Sequence, residues 1–248
     1  MQKNLSLKTK ADFPLRKIQK QLISDDVEKQ LREAILSGAL APGESLAEAH
    51  VGEQLGVSRA SVRQAKFHLA SEGLLEFDDR GTAIVRKLTL ADAHEILEFR
   101  QALELAAVRL ACTRLTDDAV AAIEANIRQT EQERDLLTLT HLDIAFHEEI
   151  IRAACNSRLM SAWHTLRPQL ELWLAGMHRR HSAITAQTCE VTVDGHRALL
   201  AALQSGDPDH AEQAMRQHTS GMQAYFSLTS ESDSDVIAEG MEKGWLPC

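Results

Sequence analysis

Through most of this chain the apolar residues keep a helical spacing, broken once, between residues 74 and 85, by two short β-prone runs. Val27, Leu31, Ala34 and Ile35 repeat along one helix face, with Ser24 as the N-cap, and Gly38 followed by Pro42-Gly43 stops that helix. Leu46, Val51 and Leu55 mark a second, shorter helix over residues 46–55. Gly56-Val57 makes a turn, and Ser58 is a good N-cap for a third helix whose buried face is Val62, Ala65 and Leu69. Glu72-Gly73 ends it, and LLEF and TAIV then flank the turn DDRG as a hairpin.

Helix, helix, helix, hairpin is the order of a winged helix-turn-helix, here over residues 23–88. From Thr89 to about Phe226 only helical periodicity remains, with helix starts at Thr89, Thr116, Asn156 and Asp207. Asp207-Pro208 is the clearest, an Asp N-cap followed by proline at the first helical position. The fold class is therefore mainly α: the winged domain, then an all-α antiparallel bundle of five or six helices over residues 89–228. A polar, lysine-dotted arm (1–22) and an acidic, serine-rich tail (229–248) are expected to be poorly ordered.

Composition narrows the classes. The 248 residues are 44% hydrophobic and 25% charged, and no apolar run approaches the length of a membrane span. The N-terminus lacks the apolar core of a secretory signal. Cys112, Cys155, Cys189 and Cys248 form no CxxC pair, which fits reduced thiols in a cytoplasmic protein. The net charge is −9, but residues 1–88 carry 14 Lys and Arg against 12 Asp and Glu, and the remainder 13 against 24. Phosphate binding follows local potential, so the acidic total leaves DNA binding open to the first domain.

The third helix, in GVSRASVRQAKFHLASEGLL, supplies the cations. Arg59, Arg63 and Lys66 follow at steps of four and three, along one stripe. In a helix-turn-helix the second helix of the motif enters the major groove, so Arg59 and Arg63 would grip guanine edges or phosphates. Ser58 and the first amides would receive a phosphate, and Arg80 and Gly81 at the hairpin tip would reach the minor groove or backbone. Lys66 either snorkels to a phosphate, the favoured expectation, or weakens packing. The plain alternative for the whole stripe is a solvated helix face.

VEKQLREAILSGALAPGESL, LGVSRASVRQAKFHLASEGLL and RGTAIV resemble the DNA-binding domain of GntR-family bacterial transcription regulators over residues 24–88. The resemblance implies DNA contacts by Arg59, Arg63 and Gly81, with Arg80 at a variable wing position. The chain departs from the family pattern at Ser61, Gln64, Lys66, Gly52 and Ala49, which bears on the operator sequence more than on DNA binding itself.

In HLDIAFHEEIIRAACNSRLM, Asp143 and His147 stand four apart on one helix face, and His196 and His218 follow on later helices. A bundle interior can gather such residues around an ion, imidazole suiting zinc or nickel and a carboxylate admitting manganese. With 11 histidines in the chain, composition alone cannot select these three. Residues 90–226 resemble the FCD ligand-binding domain of the FadR-like GntR subfamily. Its metal-binding members imply Asp143, His147, His196 and His218 as ligands, most simply of zinc; Gly195 stands where the family has glutamate.

In the same resemblance Arg100 is a candidate grip for an effector carboxylate, or else an ion-pair partner of Glu104. Asn156 either contacts effector or caps a helix. Together these point to a homodimeric repressor that leaves a palindromic operator when a small carboxylate binds. A metal-sensing regulator and a metal-dependent enzyme using Glu148 or Glu149 are the alternatives.

Overall fold

The computed structural model describes residues 21–184 and 188–229, so the expected disorder of the arm and tail lies outside the described residues, apart from their inner ends. Those ends are helical. The first helix, α1, spans Gln21–Ser37, so Gln21 and Leu22 belong to it and not to the arm. Ser24 therefore does not cap α1: it is buried one turn before Val27, on the face of Leu31 and Ile35.

The second correction concerns Leu46. It does not begin a helix but lies in a two-residue strand, β1 (Ser45–Leu46), and α2 follows at Glu48–Leu55. The helix α3 (Arg59–Ser71) and the strands β2 (Leu75–Phe77) and β3 (Ala83–Val85) complete the winged domain. β3 is central, antiparallel to both neighbours, with Leu46 opposite Ala83 and Leu75 opposite Val85. The apolar side of this sheet packs with Val27, Ile35, Val62 and Leu69 into one core. The wing turn depends on Gly81, whose φ of +76° is left-handed and favours glycine. Asp78 Oδ1 accepts the Arg80 and Thr82 amides at 3.0 and 2.7 Å across that turn.

Six helices follow: α4 (Leu90–Arg114), α5 (Asp117–Gln132), α6 (Leu136–Ala153), α7 (Ser157–Ile184), α8 (Thr188–Gln204) and α9 (Pro208–Thr229). The four expected starts are present. Thr89 forms a capping box with Asp92, Thr116 accepts the Ala119 amide, and Asn156 and Asp207 accept amides in the first turns of α7 and α9. Asp135, which caps α6 through the Thr138 amide, was not among them.

One core joins α4, α5, α6, α8 and α9, and another joins α4, α6 and α7 around Trp163 and Trp173, with Met177 at its edge. The two halves share α7. Leu172 and Ala175 pack into the winged-domain core, and Arg179 Nη1 donates to the Leu36 carbonyl at the end of α1. Among the described residues no helix is long and apolar enough to cross a membrane, and Cys112, Cys155 and Cys189 are free thiols.

Candidate metal centre and nucleic-acid interface

α4 carries a buried stripe through Ala93, Leu97, Leu103, Ala107 and Ala111, and Arg100 and Glu104 interrupt it at core positions. α6 repeats the device: Asp143 and His147 fall in line with Thr140, Ile144, Ile150 and Ile151. Helical periodicity therefore drives these four polar side chains into the interior with their apolar neighbours. α8 adds His196 and α9 adds His218.

The four expected ligand residues meet. One ligand atom from each of Asp143, His147, His196 and His218 lies within 4.8 Å of the others, with the first three residues buried and His218 half-buried. His196 Nε2 is 2.9 Å from Asp143 Oδ1, His147 Nε2 is 3.7 Å from that oxygen, and His147 Nε2 is 3.2 Å from His218 Nε2. Phe146 stacks on His196, with centroids 3.6 Å apart and planes within 2°, which fixes that ring. A Cβ at position 195 would stand 2.8 Å from His218 Nδ1, so in this arrangement a larger residue there would make the His218 ring shift.

Electrostatics prepares these groups as donors. Burial would push the Asp143 carboxyl up, but the His196 hydrogen bond and the imidazoles of His196, His147 and His178 outweigh it and hold it far below the carboxylate range. Burial lowers the pKa of His196, and lowers that of His218 further with help from His147, His196 and Arg100. An ionised carboxylate together with His196 and His218, whose lowered pKa favours the neutral ring, suits a divalent cation. Asp143 Oδ2 and His196 Nδ1 are buried without a hydrogen-bond partner, a costly arrangement unless something polar enters.

Glu104 lies behind this cluster. Its Oε1 accepts Arg100 Nε at 2.8 Å and lies 3.0 Å from His147 Nδ1, the latter contact close but poorly aligned for a hydrogen bond. Of the two readings of Arg100, the structure contains the ion pair, with both side chains 1% exposed. Sequence reasoning named Glu104 only as that partner; the signal for more was a carboxylate at a core position of the stripe. Thr140 and His178, joined at 2.8 Å between α6 and α7, were also missed. Asn156 caps α7, its Oδ1 accepting the Arg158 and Leu159 amides at 3.0 and 3.3 Å. Glu148 is held by Arg167 at 2.7 Å and Arg152 at 3.1 Å, and Glu149 pairs with Arg152 at 3.2 Å.

In the winged domain Arg59, Arg63, Arg80 and Gly81 are exposed on α3 and the wing. Ser58 caps α3, its Oγ accepting the Ser61 amide at 3.2 Å. Arg63 is engaged by Glu48 of α2 through two contacts of 2.9 Å. Lys66 is the correction here. It is 3% exposed, its Nζ donates to the Leu46 carbonyl at 2.7 Å, and burial lowers its pKa. Position 66 follows Val62 by four residues and so falls in the buried stripe of α3, and strand β1 brings a carbonyl to its tip. The ammonium is thus buried and spent on a backbone carbonyl rather than presented at the surface.

Residues 23–85 match the family "Bacterial regulatory proteins, gntR family", and residues 95–221 match the FCD domain. The chain is 30% identical over 226 residues to a probable D-xylose utilization operon transcriptional repressor of Paenarthrobacter nicotinovorans, covering 88% of this chain and 96% of that one. It is 28% identical over 222 residues to the HTH-type transcriptional repressor RspR of Escherichia coli K12, covering 88% and 95%. The solved structure of E. coli McbR/YncC superposes with a TM-score of 0.67 at 24% identity, covering 84% of this chain and 99% of that one, a likeness of fold.

Proposed function

Because the chain belongs to the GntR family and carries an FCD domain, it is a ligand-responsive DNA-binding transcription regulator, and we propose that it acts as a cytoplasmic, homodimeric repressor released from its operator by a small carboxylate bound at a metal centre. The observation that carries this reading is the convergence of Asp143, His147, His196 and His218 inside the bundle. A divalent ion held by those four side chains, zinc first and nickel or manganese as alternatives, would supply a Lewis-acidic point for the effector's carboxylate. Asp143 contributes the anionic oxygen, Phe146 keeps His196 oriented, and Glu104 backs His147. Arg100, whose charge bears on His196 and His218, is the candidate for the effector's remaining oxygen.

On the DNA side, the two recognition helices of a dimer would address a palindromic operator through Ser58, Arg59, Arg63, Arg80 and Gly81. Release requires that the effector bind one arrangement of the domains better than the other, and DNA then weakens effector binding by the same factor. α7 suits that coupling. His178 meets Thr140 one turn from Asp143, and the adjacent Arg179 holds the Leu36 carbonyl of the winged domain.

The test is direct. Elemental analysis of the purified protein should find a divalent metal, and the double variant H196A/H218A should lose it. Full retention of metal in that variant would remove these histidines from the site. Operator release is then titrated with the metal-loaded protein. Sugar-derived acids come first, because one relative is named for D-xylose utilization. Release by metal without any acid would make the ion itself the signal.

A further inference from the structure

On α3, the Arg63 side chain is paired with a neighbouring helix. Glu48, in the first turn of α2, accepts Arg63 Nε–H on Oε1 and Nη2–H on Oε2, both at 2.9 Å, although the Arg63 side chain is 63% exposed. Glu48 is held in turn: two residues before it, the Leu46 carbonyl is pinned to α3 by the buried Lys66 ammonium at 2.7 Å. The entry of α2 is thereby fixed against the helix that carries Arg63.

A guanidinium has five N–H donors arranged on two edges. The side-on pair with Glu48 uses Nε–H and one hydrogen of Nη2. Three remain, and two of them, one hydrogen each on Nη1 and Nη2, form the end-on edge that matches guanine O6 and N7. An untethered arginine on an exposed helix could as readily clamp a phosphate, and it would lose its rotamer freedom on binding. A carboxylate near DNA also opposes attraction to phosphates of any sequence, so its presence favours discrimination over general affinity.

We propose that Glu48 is a positioning residue that presents Arg63 end-on to a guanine in each operator half-site. This rests on Arg63 meeting DNA, and the experiment separates the two claims. The full-length protein and its R63A, R63K, E48Q and E48A variants are each used to select binders from a random-sequence DNA duplex library. Competition titrations then measure base preference at each enriched position.

The wild type should enrich a guanine in each half-site that R63A and R63K both lose. E48Q and E48A should melt with the wild type and bind random duplex at least as tightly, yet prefer that guanine at least fivefold less. If R63A enriches the unchanged sequence, Arg63 does not read a base and the proposal goes with it. If R63A loses the guanine while E48Q and E48A keep the full preference, Glu48 has no positioning role. A uniform loss of affinity for every sequence in the Glu48 variants would mark that residue as merely structural and overturn the proposal in the same way.

Discussion

The two halves of this protein handle charge in opposite ways. In the winged domain the core of Val27, Ile35, Val62 and Leu69 is apolar apart from Ser24 and Lys66, and the arginines stand outside on α3 and the wing. In the helical domain the ionisable groups are inside: Arg100, Glu104, Asp143, His147 and His196 are each at most 1% exposed. A surface site can change without disturbing the fold beneath it. A buried one cannot, because each charge is tolerated only through its partners. Function and stability should therefore separate in the first domain and coincide in the second.

The sharpest test is Glu104→Gln. It keeps the shape but removes the charge that compensates Arg100 inside the bundle and that backs His147. Breaking one side of a buried pair costs about 3–5 kcal/mol, and loss of support behind a ligand weakens metal affinity by about 10- to 100-fold. Urea unfolding in chelator and zinc titration against a competing dye should report both losses in one variant. If both stayed at wild-type values, the Arg100–Glu104–His147 arrangement would not matter to the site.

The same contrast explains what the sequence could disclose. The surface site was legible as local order: a cap, a short helix with cations at its front, a hairpin with Gly81 at its tip. Lys66 was misplaced because its partner, the Leu46 carbonyl, belongs to a two-residue strand whose pairing with β3 is non-local. Leu46 itself was assigned to a helix for the same reason. The buried site was legible in part, since Asp143 and His147 share a face at a spacing of four. Choosing His196 and His218 among 11 histidines needed the resemblance to a known domain. Glu104 stood in plain view at a core position of α4, and its contact with His147 depends on how α4 meets α6.

Acid should strain the second domain more than the first. His196 and His218 have folded-state pKa values below the ordinary 6.5, chiefly through burial. An unfolded chain takes up protons at these positions near pH 6.5 while the folded chain does not, so stability falls as pH drops through that region. For chelator-treated protein, unfolding free energy between pH 7.5 and 5.5 should fall by about 1 kcal/mol for each such histidine. H218Q should show a correspondingly shallower loss. A wild-type profile that is flat across this range would mean the two imidazoles are not held neutral by the fold.

The smallest expected effect on stability completes the contrast. Arg59 is exposed at the start of α3, where α2 and the Ser58 cap leave it on the outer face. Arg59→Ala removes a cation and covers no core, and surface changes of that kind move stability by only about 0.5 kcal/mol in either direction. Its melting temperature should thus stay within about 2 °C of wild type, and metal content should be unchanged. Operator affinity should nevertheless fall by about tenfold or more, the scale of a lost arginine contact to DNA. Fluorescence anisotropy on the selected duplex reads the affinity, and a thermal melt on the same preparation reads the fold. A variant that lost both together would show that the exposed site, like the buried one, is bound to the stability of its domain.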